Sequence, residues 1–183
     1  MLQMGRKHKY SKTKGIIFDR LLGKERKSIS SPNMNFDYVI EIKESVVDCL
    51  RNYCQVEGNE IGGILTGSII SEKRIRISNV SMPCSIKRFA NRYKFVRDAA
   101  KANEFIKRDF EQSVHTRVYV GEWHTHPEEN PSPSSVDIDS IVDIYNRSDI
   151  VINGVFLIIV GLKSNYYGFC NGILMKKVNI TIV

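Results

Sequence analysis

The sequence predicts an α+β domain: a mixed, mainly antiparallel sheet with helices on its flanks. Strand-like and helix-like segments are interleaved along the chain. The strand-like segments often come as neighbours joined by short turns, as hairpins do. A length of 183 residues fits one such domain with a full core, and hardly two. Hydrophobic content of 42% and charged content of 26% exclude the disordered and fibrous classes. No apolar run reaches the ~18 residues of a membrane span. The first residues are polar and basic without an apolar stretch, which is not the pattern of a secretory signal. The expected location is therefore the cytoplasm.

Two parts are expected: a basic arm or linker over residues 1–35 and a folded domain over residues 36–183. In the arm, Gly15 to Lys27 has the spacing of a short amphipathic helix through Ile16, Phe18, Leu21 and Leu22. Ser28 to Asn35 reads as a linker. The domain opens with a strand, Asp37 to Ile42, followed by a helix, Glu44 to Cys54. Gly58-Asn59 makes a turn. Ile61 to Ile70 and Arg74 to Ser81 are paired strands, the second with the alternation of a half-exposed strand. Pro83 to Arg97 is an irregular basic insertion. A helix over Asp98 to Gln112 presents Ala102, Ile106 and Phe110 on one face. A strand over Arg117 to Thr125 runs into His126-Pro127. Glu128 to Pro133 is a loop and Ser134 to Arg147 a helix. Strands over Gly154 to Leu162, Tyr166 to Cys170 and Ile173 to Val183 finish the sheet.

The net charge of +7 sits in the arm. Residues 1–35 hold nine Lys/Arg and two acids, which is +7, and the remainder holds 18 of each sign. The main domain is therefore not a basic nucleic-acid binder, and the arm reads as a solvated tail. Cys49, Cys54, Cys84 and Cys170 form no C-x-x-C pair, so reduced and mostly buried thiols are expected.

Two of the four histidines share one window, Gly121-Glu122-Trp123-His124-Thr125-His126-Pro127. On a strand, residues two apart share a face, so both imidazoles can lean onto one ion. An H-x-H alone serves a structural role as often as a metal. Ser134-Ser135-Val136-Asp137 is first of all a helix-capping pattern. A capped helix start also holds Asp137 in a fixed place, and the preceding loop is stiffened by Pro131 and Pro133. Folded back, Asp137 becomes a third ligand. Two His and one carboxylate leave a zinc position open, the pattern of a catalytic site. A general base is then needed. Glu122 shares the face of the histidines by pleat. Glu60, ahead of Gly62-Gly63 and an apolar strand, is the better candidate, its glycines allowing a backbone or a substrate to approach closely.

Glu60 with Gly-Gly-Ile-Leu-Thr-Gly, then His124-x-His126-Pro127 and Ser134-x-x-Asp137 in order, resembles the signature of the JAMM/MPN+ (JAB) zinc metalloproteases. The resemblance implies a single JAB/MPN domain with a curved sheet, and one zinc per chain. It implies that His124, His126 and Asp137 bind the zinc, that Glu60 is the general base, and that Ser134 stabilises the oxyanion. The runs Met82-Pro83, Arg88-Phe89, Phe95-Val96-Arg97-Asp98, Tyr119 to Glu128 and Pro131-Ser132-Pro133-Ser134 are similar to bacterial JAB proteases of CBASS antiphage operons. This narrower likeness implies a protein substrate conjugated through a C-terminal tail, either a ubiquitin-like protein or a CD-NTase, a cGAS-like nucleotidyltransferase. Two other readings stay open. One is a JAB protease trimming sulfur-carrier or ubiquitin-like precursors, or a RadC-like protein, against which Thr125 between the histidines counts. The other is a non-catalytic binding module that uses the basic arm.

Overall fold

A computed structural model describes residues 38–86, 92 and 95–183. The arm, with its expected helix and linker, lies outside the described residues, as do Asp37 and part of the basic insertion. The elements run β1 (Val39–Ile42), α1 (Glu44–Arg51), β2 (Gly62–Ser71), β3 (Arg74–Val80), α2 (Ala99–Gln112), β4 (Val118–Thr125), α3 (Ser135–Arg147), β5 (Val155–Val160), β6 (Asn165–Cys170), β7 (Met175–Lys177) and β8 (Thr181–Ile182).

All eight strands join one sheet in the order β7-β6-β5-β4-β2-β3-β1-β8. Hairpin neighbours β2–β3, β5–β6 and β6–β7 pair antiparallel, as does β2 with β4. The pairs β1–β3, β1–β8 and β4–β5 are parallel. The sheet is thus more evenly mixed than hairpin patterning suggests, because the parallel pairs join segments with long crossovers between them.

The core is split by the sheet. On one face, Val46, Val47 and Leu50 of α1 pack with Ile40, Ile42, Ile75, Ile77, Trp123, Phe156 and Ile158. On the other, Ile141 of α3 packs with Val155, Leu157 and Ile159, and Ala102 of α2 with Ile64 and Cys84. The run Val-Phe-Leu-Ile-Ile-Val in β5 feeds both faces alternately, which is why it carries no polar residue. Among the described residues, no helix is long and apolar enough to cross a membrane. All four cysteines are free, Cys84 and Cys170 buried and Cys49 and Cys54 half-buried.

Two elements differ from expectation. Helix α1 stops at Arg51, not Cys54. The three residues after Asn52 turn inward instead: Tyr53 stacks on Trp123 at 4.9 Å, the Cys54 thiol donates to the Gly161 carbonyl, and Gln55 is buried. The expected last strand, Ile173 to Val183, breaks into β7 and β8, which pair at opposite edges of the sheet. Eight strands laid flat would separate those edges by ~34 Å. The chain from Lys177 to Thr181 can span at most ~14 Å. The sheet must therefore curl until its edges approach, and the strand breaks because it crosses from one edge to the other.

Candidate metal centre and active site

The site is built first on β2 and β4. Their antiparallel register sets Gly62 opposite His124 and Gly63 opposite Trp123. Beyond β2, Ile61 and Thr125 continue the ladder, the Thr125 N–H donating to the Ile61 carbonyl at 2.9 Å. The same register places Glu60 across from His126. Opposed residues share a face, so Gly62 and His124 occupy the same side. A Cβ at position 62 would lie 2.8 Å from the His124 Cβ, and one at position 63 would lie 2.3 Å from the Ser81 hydroxyl. The room left by the two glycines is thus taken by side chains of neighbouring strands. Alternation along β4 turns Trp123 towards the α1 core and His124 and His126 to the opposite side.

Asp137 arrives by a different route. The loop after His126 is held by the β5–β6 turn: Leu162 N–H donates to the Glu128 carbonyl at 2.7 Å, and Lys163 and Ser164 N–H groups donate to the Glu129 carbonyl. Ser164 Oγ donates to Asn130 Oδ1 at 2.8 Å, and Lys163 pairs with Glu129. Gly161 is required for this closeness, since a Cβ there would stand 2.3 Å from Pro131 Cδ. The stiffness expected from the prolines is therefore shared with a clamp from another strand pair. Ser134 then caps α3 in a full capping box: its Oγ accepts from the Asp137 N–H, and its own N–H donates to Asp137 Oδ2 at 2.7 Å.

The routes meet. His124 Nε2 lies 3.2 Å from His126 Nε2. Asp137 places Oδ1 3.3 Å from His124 Nε2 and Oδ2 3.5 Å from His126 Nε2. A tetrahedral ion with bonds of ~2.0–2.1 Å keeps its ligand atoms about 3.3 Å apart. The closest approaches are near that spacing, and the three side chains form a candidate metal-binding group. Glu60, 4% exposed, holds Oε1 3.7 Å from His126 Nε2. Glu128 stands 3.9 Å from His126 Nδ1, too far for a hydrogen bond.

The electrostatics suit a cation. Burial pushes His124 down to about 4, and nearby His126 adds to this against the pull of Asp137, so His124 is neutral at pH 7. Burial also opposes charge on His126, but Asp137, Glu60 and Glu128 outweigh it and raise its pKa. Asp137 is desolvated too, yet hydrogen bonds from His126 and Ser134 and the nearness of His124 hold it well below the usual carboxylate range. Burial lifts Glu60 up to about 7; His126 and a backbone hydrogen bond from Phe95 oppose the rise, and Asp137 reinforces it.

Glu60, His126 and Ser134 line a cavity of about 380 Å³ with Arg92, Pro127 and Glu128. The Ser134 hydroxyl also donates to Asp137 Oδ2 at 2.7 Å, so in this arrangement it points to the carboxylate. Glu122 is engaged elsewhere: buried, it forms an ion pair with Arg97 and lies 3.4 Å from the Tyr119 hydroxyl. Arg97 and Phe95 stand in the bacterial likeness, but sequence reasoning gave neither a role; the Phe95 ring stacks over His124 at 6.5 Å. Both fall in the stretch read as an irregular insertion, and no periodicity there signals a partner.

The family model for prokaryotic homologs of the JAB domain matches residues 44–167. The chain belongs to the prokaryotic JAB family. Curated relatives of this JAB chain include a CD-NTase/cGAS isopeptidase of Escherichia coli (strain TW11681). It is 32% identical over 136 residues, which cover 73% of this chain and 83% of the relative. A CD-NTase/cGAS isopeptidase of Vibrio cholerae serotype O1 is 31% identical over 134 residues, 72% of this chain and 82% of the relative. Among solved structures, a Desulfitobacterium hafniense protein aligns with a TM-score of 0.53 at 15% identity, over 79% of this chain and 93% of its own. That likeness speaks for the fold alone.

Proposed function

We propose that this JAB domain is a zinc-dependent isopeptidase that frees target proteins conjugated to the C-terminal tail of a CD-NTase or a ubiquitin-like protein, in bacterial antiphage defence. The observation that carries the reading is the convergence of His124, His126 and Asp137 at the separations of a tetrahedral site, with a buried carboxylate beside them. Relatives named CD-NTase/cGAS isopeptidase, matched over more than four-fifths of their length in two cases, support the substrate class. In this reading His124, His126 and Asp137 hold the zinc. When bound, zinc supplies a Lewis acid that polarises the scissile carbonyl and makes water a nucleophile near neutral pH.

Glu60 does the proton work. Its carboxylate takes a proton from the attacking water and passes it to the leaving lysine nitrogen. An affinity for protons near about 7 suits a group that must both accept and release one at neutral pH. Ser134, on the cavity wall, turns its hydroxyl from Asp137 towards the developing oxyanion. Glu122 stays out of the chemistry, because its buried carboxylate is already paired with half-buried Arg97.

The test is cleavage of a purified CD-NTase conjugate, with zinc content measured on every sample. Chelation is expected to stop cleavage and zinc to restore it. Glu60→Gln is expected to fold, keep zinc and lose ~10²–10⁴-fold in rate, whereas Asp137→Asn should lower zinc occupancy. Full activity after chelation, or a wild-type rate in Glu60→Gln, overturns the reading.

A further inference from the structure

Thr125 separates the two histidines, and strand alternation turns it away from them, into the interior beside Trp123. It is fully buried, and Gln55 is 4% exposed. Its hydroxyl makes two hydrogen bonds. It donates to Gln55 Oε1 at 2.9 Å and accepts from the Ile61 backbone N–H at 3.2 Å. The Thr125 N–H completes the pairing by donating to the Ile61 carbonyl. Gln55 in turn donates through Nε2 to the Gly58 carbonyl at 3.0 Å.

One hydroxyl thus ties together both ends of the segment 55–61, whose middle turns at Gly58 with φ 86°. Glu60 is the penultimate residue of that segment. It lies outside β2, which begins at Gly62, so the strand ladder does not hold its backbone. Among the described residues, Thr125 takes both backbone hydrogen bonds of neighbouring Ile61, through its hydroxyl and its backbone N–H.

We infer that Thr125 and Gln55 are positioning residues for Glu60: a buried latch behind β4 that sets where the carboxylate stands in front of it. The inference rests on Glu60 being the base. A base must stand within hydrogen-bond reach of the proton it takes, and a misplacement of ~1 Å costs on the order of 10²-fold. The hydroxyl is the part of Thr125 that matters. Valine fills the same volume but can neither donate to Gln55 nor accept from Ile61. Serine can do both. The latch also lies on the far side of the strand from the metal ligands, so breaking it leaves them untouched.

The experiment compares Thr125→Val, Thr125→Ser, Gln55→Leu, the Thr125→Val/Gln55→Leu double variant and Glu60→Gln as zinc-loaded full-length protein. The readouts are kcat and KM on the conjugate, zinc content, and amide hydrogen exchange over residues 56–61. Thr125→Val and Gln55→Leu are each expected to lose ~10–100-fold in kcat. KM should stay within about twofold, zinc content should be unchanged, and exchange over 56–61 should be faster. Thr125→Ser should recover most of kcat, and the double variant should be no worse than either single, as members of one unit behave. Wild-type kcat in Thr125→Val beside an inactive Glu60→Gln overturns the latch and spares the base. Loss of zinc and kcat in parallel shows a merely structural role and also overturns it. An active Glu60→Gln removes the base reading, and the latch with it.

Discussion

The two halves of the candidate metal centre are held by opposite means. Glu60, His124 and His126 lie at or just beyond the end of a buried strand pair, where backbone register between distant segments decides which side chains face each other. Ser134 and Asp137 belong to an exposed helix start, where a four-residue local pattern sets the geometry and one glycine-dependent clamp sets the position. The strand half is anchored far from the cavity as well. Buried Asp109 of α2 accepts two hydrogen bonds from Arg117, one from Thr66 at 2.5 Å and one from Asn79 at 2.6 Å. It thereby ties β2, β3 and the entry to β4 into one body. The contrast teaches that the two halves should fail differently: the strand half by global loss of stability, the helix half locally.

The largest effect is expected at that anchor. Asp109→Ala leaves Arg117, Thr66 and Asn79 without their shared acceptor, and losing hydrogen bonds to a charged group costs about 1.5–3 kcal/mol. Burial alone would raise the Asp109 pKa, but Arg117, Thr66 and Asn79 lower it overall. A depressed carboxylate stabilises the fold above its unfolded pKa, near ~3.9, and loses that contribution as pH falls through the folded value. The gap in denaturant midpoint between wild type and variant should therefore be full at pH 7 and shrink below about pH 4. A gap that persists unchanged at pH 3 would break the comparison.

Ser134→Ala should do less to the fold and more to the cleavage. Loss of the cap bond costs ~1 kcal/mol, which urea unfolding resolves. Loss of one oxyanion donor costs on the order of 10²–10³-fold in rate where it has been measured in other enzymes. Zinc should remain, since both histidines stay in place. Loss of zinc together with rate would show that the cap, by holding Asp137, is part of the metal site.

The smallest effect is expected from deleting residues 1–27, because the rest of the chain is balanced in charge without them and the described core starts at Tyr38. Melting temperature and zinc content should match the full chain. A large drop in melting temperature would show that Ile16, Phe18, Leu21 and Leu22 pack against the domain.

Much of this was legible because it is local or periodic. The 3.6-residue spacing in Ala99–Gln112 and the alternation in Arg74–Val80 reveal their elements directly. The positions Glu60, His124, His126, Ser134 and Asp137 are picked out together by their resemblance to the JAMM/MPN+ signature, and the fold brings all five to one cavity wall or the candidate metal-binding group beside it. What stayed hidden depends on distant partners. Nothing in Met-Lys-Lys-Val-Asn-Ile-Thr-Ile-Val marks a break, since the break answers to the curl of the whole sheet. Arg97 shows its role only once Glu122 is beside it. Gly161 reads as an ordinary turn residue until Pro131 lies against it.

The curl has a kinetic consequence. Strand β1 pairs with β3 and β8, both in parallel, and its register with β8 joins Glu41 to Thr181. Such a contact closes nearly the whole length of the domain into a loop, and topologies rich in distant pairings fold slowly. The β2–β3 hairpin and the β5–β6 hairpin can form early, since each joins near neighbours. Strand β1, with β8 beyond it, is then among the last parts of the sheet to seat. Until it does, Ile40 and Ile42 stand on an uncovered edge, and the nascent domain is most open to pairing with other chains.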